Sequence, residues 1–294
     1  MVPGPRCRRS GLHQQGPGRR LHRPDSRRPH HGLWRLRSGR RGRGRGQVIA
    51  AAAGSLSFVL PAFNEAENIA EAVHRCVDVG GALGAPFEVI VVDDGSRDDT
   101  RRVLARITRA DARVRSLHHP HNRGYGAALR TGLLAARMER VFFTDSDLQF
   151  DVAEIALLLR HCERYGIVAG YRYPRRDPFV RRALGFGWSR LVGLLFDLDV
   201  RDVDCAFKVF DRRIFDGFDL RSVGALVNTE ILVRARAEGV QVLQVPVTHY
   251  PRTAGQQSGA SPRVIAKALR ELAELHQDLR AETHRARLRA SEPA

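Results

Sequence analysis

Apolar residues along this chain fall into short runs, each closed by a polar or acidic cluster. Leu56-Ser-Phe-Val-Leu60 is a β-rich run stopped by Pro61. Asn64 then reads as an N-cap, and Glu65 to Val79 carries Ile69, Val73, Cys76 and Val77 at helical spacing. Phe87-Glu-Val-Ile-Val-Val92 is a near-continuous apolar strand of the kind buried in a parallel sheet. The pattern then predicts a helix over 98–110, a strand over 114–118, a helix over 124–137, a strand over 141–144 and a helix over 152–165. Strands alternating with helices predict an α/β doubly wound sheet. In the second half, Pro178 to Asp197 is amphipathic, Cys205 to Phe210 fits a strand, Leu226 to Glu238 a helix and Val240 to Val247 a strand. A last helix starts at Ser261-Pro262, with Val264, Ile265, Ala268, Leu269, Leu272 and Leu275 on one face.

Open α/β sheets bind ligands beyond the carboxyl ends of their strands. Here those ends read Pro61-Ala-Phe-Asn-Glu65, Asp93-Asp94 and Asp145-Ser-Asp147, so acids are expected on one edge of the sheet three times over. Two carboxylates one residue apart at a strand end can both reach one hard cation and a diphosphate, which suits Mg²⁺ or Mn²⁺. The same spacing alone also fits a solvated turn. Asp93-Asp94-Gly95-Ser96 can accept hydrogen bonds from a base or ribose, or simply cap the next helix through Ser96, Asp99 and Thr100. Gly124-Tyr-Gly126-Ala-Ala-Leu129 lacks the third glycine of a dinucleotide fingerprint, and there is no P-loop. His118, His119 and His121 fall in a proline-containing stretch and read as plain loop.

The formal net charge of +17 first suggests nucleic acid. Residues 1–46, however, hold fourteen arginines and a single acid, Asp25, so +13 of the +17 lies there and +4 on the remainder. That stretch of Arg, Gly, Pro and His has no core-facing pattern and is expected to be a disordered tail. Residues 47–258 are expected to form the one folded domain, and 259–294 a C-terminal helical extension. The four cysteines are far apart in sequence, which fits free thiols and gives no zinc spacing. The best apolar run, Ala183 to Val200, is interrupted by Arg190, Asp197 and Asp199, so no spanning helix is expected.

Read in order, VLPAFNEAENI, VIVVDDGSRDDT, NRGYGAALRTGL, TDSDLQFD, AGYRYPRRD, DVDCAFKVFDRRIF and TEILVRARAEGVQVLQVPVTHYPR resemble the family-2 glycosyltransferases of GT-A fold, in their dolichol-phosphate mannosyltransferase-like, polyprenyl-phosphate branch. The resemblance runs from about Ser55 to Ser258. It implies a single Rossmann-like domain with a mixed, mostly parallel sheet. It implies that Pro61, Ala62, Asn64 and Glu65 line a nucleotide pocket, with Asp93 on the base or ribose and Asp94 supporting that loop. Asp145 and Asp147 would hold the metal and diphosphate, and Gln149 would face the donor sugar. Arg172, Arg175 and Arg176 would meet an acceptor phosphate. Arg252, with Gly255 and Ser258, resembles the family's closing R-x-x-G-x-S loop, here one residue longer as RTAGQQSG.

The resemblance further implies an inverting, metal-dependent transfer from a nucleotide-sugar (GDP-mannose or a UDP-sugar) to a polyprenyl phosphate. For an alcohol acceptor, Glu230 is the candidate general base. The aromatic and basic stretch from Phe179 to Phe196 suits peripheral contact with the cytoplasmic face of a membrane, or packing on a core or second subunit. A soluble or polysaccharide acceptor, and nucleotide-sugar binding without turnover, stand as alternatives. A specific nucleic-acid role is disfavoured by the small charge outside the tail.

Overall fold

The computed structural model describes residues 54–174, 179–252 and 262–291. Seven strands form one sheet: β1 (Leu56–Ala62), β2 (Phe87–Asp93), β3 (Val114–His118), β4 (Arg140–Thr144), β5 (Ile167–Arg172), β6 (Phe207–Asp211) and β7 (Val242–Val247). Their order across the sheet is β3-β2-β1-β4-β6-β5-β7. The helices are α1 (Ile69–Leu83), α2 (Thr100–Ala110), α3 (Tyr125–Ala135), α4 (Ile155–Leu159), α5 (Phe179–Phe196), α6 (Val227–Ala237) and α7 (Pro262–Ser291).

β1 lies between β2 and β4 and runs parallel to both. β6 runs antiparallel to β4 and to β5, and β5 runs parallel to β7. Six strands therefore deliver their carboxyl ends to one edge. β6 begins at that edge, with Phe207 opposite Thr144. The sheet is held by buried aromatics on its central strands. Phe142 meets Phe207 edge-on at 4.7 Å between ring centroids, and Phe58 meets Phe142 at 5.8 Å. Edge-to-face packing suits the ring quadrupole, and burying each such side chain contributes roughly 1.5–3 kcal/mol. Cys76, Cys162 and Cys205 are buried free thiols, and burial raises the pKa of each.

Two expectations change, and one strand is added. The apolar pattern does not predict β5. Its apolar half is only Ile167-Val-Ala169, followed by Gly170, where a Cβ would lie 2.8 Å from the Phe207 carbonyl oxygen and 2.9 Å from Val247. Glycine inside a strand marks such a close approach. The helix expected over 152–165 is a short 3₁₀ turn, Val152–Glu154, followed by the five-residue α4 and turns. Asn64 is not an N-cap: α1 starts at Ile69, and Asn64 has a left-handed φ of 54° in the loop before it. No helix among the described residues is long and apolar enough to cross a membrane. The expected tail at 1–46 lies outside the described residues.

Candidate active site

The register sets the loops after β2, β1 and β4 side by side, with Ala62 opposite Asp93. The loop after β1 is tied to the loop after β2. The Asn64 N–H donates to Ser96 Oγ at 2.9 Å, Asn64 Oδ1 accepts from the Arg97 N–H at 2.8 Å, and the Glu65 N–H donates to Thr100 Oγ1 at 2.9 Å. Gly95 makes the turn between them. Its φ is +70°, and a Cβ there would lie 2.4 Å from the His121 backbone carbon, so only glycine fits.

Asp93 and Asp94 are both buried, and each is paired with a histidine. Asp93 accepts from the Ser96 N–H at 3.0 Å and meets His118 Nδ1 at 3.0 Å. Asp94 meets His119 Nδ1 at 2.6 Å and accepts from the Arg123 and Gly124 N–H groups at 2.9 and 2.8 Å. Asp94 thus shapes the turn into α3. His118 and His119, expected to be plain loop, are the partners of the two acids. The signal available for them was their place at the end of β3, next to Asp93 and Asp94 in the sheet.

Beyond β4, Ser146 Oγ donates to the Pro61 carbonyl at 2.9 Å and so fixes the turn that carries Asp145 and Asp147. The Tyr125 hydroxyl donates to Asp145 Oδ1 at 3.0 Å. The Gln149 N–H donates to Asp147 Oδ1 at 3.1 Å, and Leu148 between them has a positive φ of 62°. Burial lifts the Asp145 carboxyl well above the usual carboxylate range, and the charge of Asp147 adds to it. Burial lifts Asp147 too, partly offset by the Gln149 N–H and Arg252. Buried neighbouring carboxylates resist ionising together unless a cation joins them. Among the described residues no cluster of three or more ligating side chains occurs. The all-oxygen pair is of the kind a hard divalent ion prefers.

Arg252 closes the site from the segment after β7. It pairs with Glu65 and stands 3.6 Å from Asp147 Oδ2. Glu65 also accepts from Asn68 Nδ2 at 2.7 Å, so one side chain links α1, the loop after β1 and the closing segment. Gln149 holds the same segment, its Nε2 donating to the Tyr250 carbonyl at 3.1 Å. Gly255 and Ser258 lie outside the described residues.

The expected acceptor arginines separate. Arg172, at the end of β5, is held by Asp202, and its charge stabilises ionised Asp145. Arg175 and Arg176 lie outside the described residues. Among the described residues, the recorded partners of Glu230 are Arg221, Ser222 and Arg234, not the two carboxylates. It is 1% exposed on α6 and accepts from the Arg221 and Ser222 backbone N–H groups and from Arg234 Nε. Asn228, two residues earlier on α6, is the one that reaches the site, through the buried Lys208 and Tyr125. None of Tyr125, Asn228 and Lys208 was singled out from the sequence. Tyr125 and Lys208 stand inside motif text, in NRGYGAAL and CAFKVF, but their types alone carry no chemistry signal.

The sequence model of glycosyl transferase family 2 matches residues 57–218. The glycosyltransferase AglD of Haloferax volcanii is 33% identical over 70% of this chain and 35% of its own length. The chain belongs to glycosyl transferase family 2. Two further relatives in the family's neighbourhood are named for lipid phosphates. A dolichyl-phosphate beta-glucosyltransferase of Trichomonas vaginalis is 28% identical over 65% of this chain and 64% of that protein. An undecaprenyl-phosphate 4-deoxy-4-formamido-L-arabinose transferase of Klebsiella pneumoniae is 26% identical over 71% of this chain and 64% of that protein. The chain thus spans between about a third and just under two thirds of these relatives. Among solved structures, glucosyl-3-phosphoglycerate synthase of Mycobacterium tuberculosis with UDP superposes at a TM-score of 0.60, 19% identity, covering 79% of this chain and 84% of that one. The same enzyme with Mn²⁺, UDP-glucose and phosphoglyceric acid gives 0.58 at 21% identity, over 76% and 82%. The family-2 chain has the GT-A fold.

Proposed function

We propose that this chain transfers a sugar from a nucleotide-sugar to the phosphate of a polyprenyl lipid. The observation that carries the reading is the carboxylate pair at the sheet edge, half-buried Asp145 and buried Asp147, closed over by Arg252 and Glu65. Such paired carboxylates suit a divalent cation and the diphosphate it neutralises. Mg²⁺ or Mn²⁺ would be held by these two residues and would supply Lewis-acid stabilisation of the leaving diphosphate. Pro61, Ala62, Asn64, Glu65 and Asp93 are the proposed nucleotide pocket, with Gln149 toward the sugar and Arg252 over the diphosphate. Asp94 is the proposed support of the loop into α3.

The two relatives named for lipid phosphates support the acceptor class. A phosphate monoester has a second pKa of about 6 and is largely dianionic near neutrality. Its oxygen attacks the anomeric carbon, a new C–O bond forms, and the bond to the diphosphate breaks with the electron pair leaving on the nucleoside diphosphate. Configuration inverts, and no proton has to be removed from the acceptor. This agrees with Glu230 being spent on the Arg221–Ser222 backbone. Arg172, Arg175 and Arg176 are the proposed counter-charges to the acceptor phosphate.

Peripheral contact with the cytoplasmic face of a membrane is part of the proposal. On α5, Leu184, Phe186 and Leu194 are exposed, with the Arg190 guanidinium 5.9 Å from the Phe186 ring centre. Exposed apolar residues interleaved with arginine suit a lipid headgroup boundary. The test is a donor screen: UDP- and GDP-sugars with Mg²⁺ or Mn²⁺ and a polyprenyl phosphate, with product masses read by mass spectrometry. A glycosylated lipid phosphate supports the reading, and transfer only to a soluble alcohol overturns it.

A further inference from the structure

Lys208 stands opposite Phe143, two residues before Asp145, and is 1% exposed. A buried ammonium needs an acceptor for each of its three N–H bonds. Lys208 Nζ finds three: the carbonyl oxygens of Val203, at 3.0 Å, and of Cys205, and Asn228 Oδ1 at 3.1 Å. Because lysine only donates, the Asn228 amide must present its oxygen there, which leaves its NH₂ to face elsewhere. Asn228 lies close enough to the Tyr125 hydroxyl to favour its ionised form, against the burial that raises the phenol's pKa. The Tyr125 hydroxyl in turn donates to Asp145 Oδ1 at 3.0 Å, and an ionised carboxylate only accepts. The two recorded bonds agree in direction: the Lys208 ammonium donates to Asn228, and the Tyr125 hydroxyl donates to Asp145. Chains of this kind polarise each bond in turn where the local dielectric is low.

The backbone around Tyr125 is built to hold the ring in place. The Gly126 N–H donates to the Val223 carbonyl at 2.9 Å, and a Cβ on Gly126 would lie 2.5 Å from the Gly224 carbonyl oxygen. Glu230 fixes the start of that same loop through the Arg221 and Ser222 N–H groups. The Gly126 N–H in the first turn of α3 is therefore taken by protein backbone, close beside Tyr125.

We infer that Tyr125 is a positioning residue: its hydroxyl, oriented by Asn228 and Lys208, fixes the Asp145 carboxylate in the direction needed to bind a divalent cation. The inference rests on the reading of Asp145 as a cation ligand. Residues that orient a metal ligand through a hydrogen bond change metal affinity or activity by about 10–100-fold when removed. Tyr125→Phe deletes the one hydroxyl and keeps the ring.

The experiment is a titration of Mn²⁺, followed by electron paramagnetic resonance, with UDP and separately GDP present. The proteins compared are the unmodified chain, Tyr125→Phe, Asp145→Asn and the double variant. Thermal unfolding is measured on all four. The expected result is an Mn²⁺ affinity lowered about tenfold or more by Tyr125→Phe. The same change should have almost no further effect in the Asp145→Asn background, because its route to the cation is gone. The unfolding midpoint of Tyr125→Phe should stay close to that of the unmodified protein. Unchanged Mn²⁺ affinity in Tyr125→Phe, with a loss in Asp145→Asn, would overturn the positioning role and leave the site reading intact. Unchanged affinity in Asp145→Asn would overturn both. Equal losses in both backgrounds would show that Tyr125 acts by some route other than Asp145.

Discussion

Arg172 and Asp202 face each other fork to fork, with Nε and Nη2 each donating to a separate carboxylate oxygen at 2.7 Å. The pair joins the end of β5 to the turn before β6, beside Asp145. Arg172 therefore reaches the site already oriented. Removing one member of a largely buried, doubly hydrogen-bonded ion pair is destabilising, by about 3–5 kcal/mol at most. Asp202→Ala is expected to lower the unfolding midpoint and strongly reduce turnover. Arg172→Lys, with Asp202 intact, should also reduce turnover, because an ammonium cannot make two parallel bonds to one carboxylate. Full activity in Arg172→Lys would show that charge alone suffices.

Glu230 gives a second prediction. Losing its bonds to Arg221, Ser222 and Arg234 should destabilise the fold by about 1–3 kcal/mol in Glu230→Gln. The pH dependence of transfer to a lipid phosphate should keep its shape, since no proton passes through this residue. Stability is read from urea unfolding, and the profile from initial rates. A lost acidic limb with unchanged stability would return Glu230 to the role of general base.

A third prediction concerns acid. Burial alone would raise the Glu88 carboxyl. Hydrogen bonds from the Arg137 N–H, the Ser57 hydroxyl and Arg115 outweigh it and hold the group below the usual carboxylate range. A carboxyl depressed by folding stabilises the protein above its unfolded pKa, about 4.3 for glutamate, and that stabilisation fades as pH falls through the folded value. The stability gap between the unmodified chain and Glu88→Gln should therefore be largest near neutrality and shrink below about pH 4. A gap independent of pH would contradict the assignment.

The membrane reading predicts reversible binding to anionic vesicles that weakens as salt rises. Phe186→Asp with Leu194→Asp should reduce vesicle binding. It should leave transfer to a short-chain, water-soluble polyprenyl phosphate within about threefold, since surface changes are usually worth no more than about 0.5 kcal/mol. Unchanged sedimentation with vesicles would remove α5 from the lipid contact.

The sheet was legible where a strand is a continuous apolar run, as in β1, β2 and β4. It was not legible at β5, whose Gly170 packs against β6 and breaks the run. The loops after the strands gave Asp145 and Asp147, because acids beyond an apolar run stand out. They did not give Tyr125, Asn228 or Lys208. Those residues act through bonds across three separate elements, α3, α6 and β6, and long-range pairing leaves no local period. Asn64 shows the converse error: a good cap residue in sequence became a left-handed turn residue because its side chain bonds the Arg97 N–H instead.

The most direct test of the account is one reaction with the metal and the lipid varied together. Purified protein, a nucleotide-sugar and a polyprenyl phosphate are incubated with Mn²⁺, with EDTA, or with Asp145→Ala and Asp147→Ala variants, and the lipid fraction is weighed by mass spectrometry. The account predicts a lipid phosphodiester of the sugar with Mn²⁺, and none with EDTA or with either variant. The same product formed in EDTA by a chain lacking both carboxylates would contradict it.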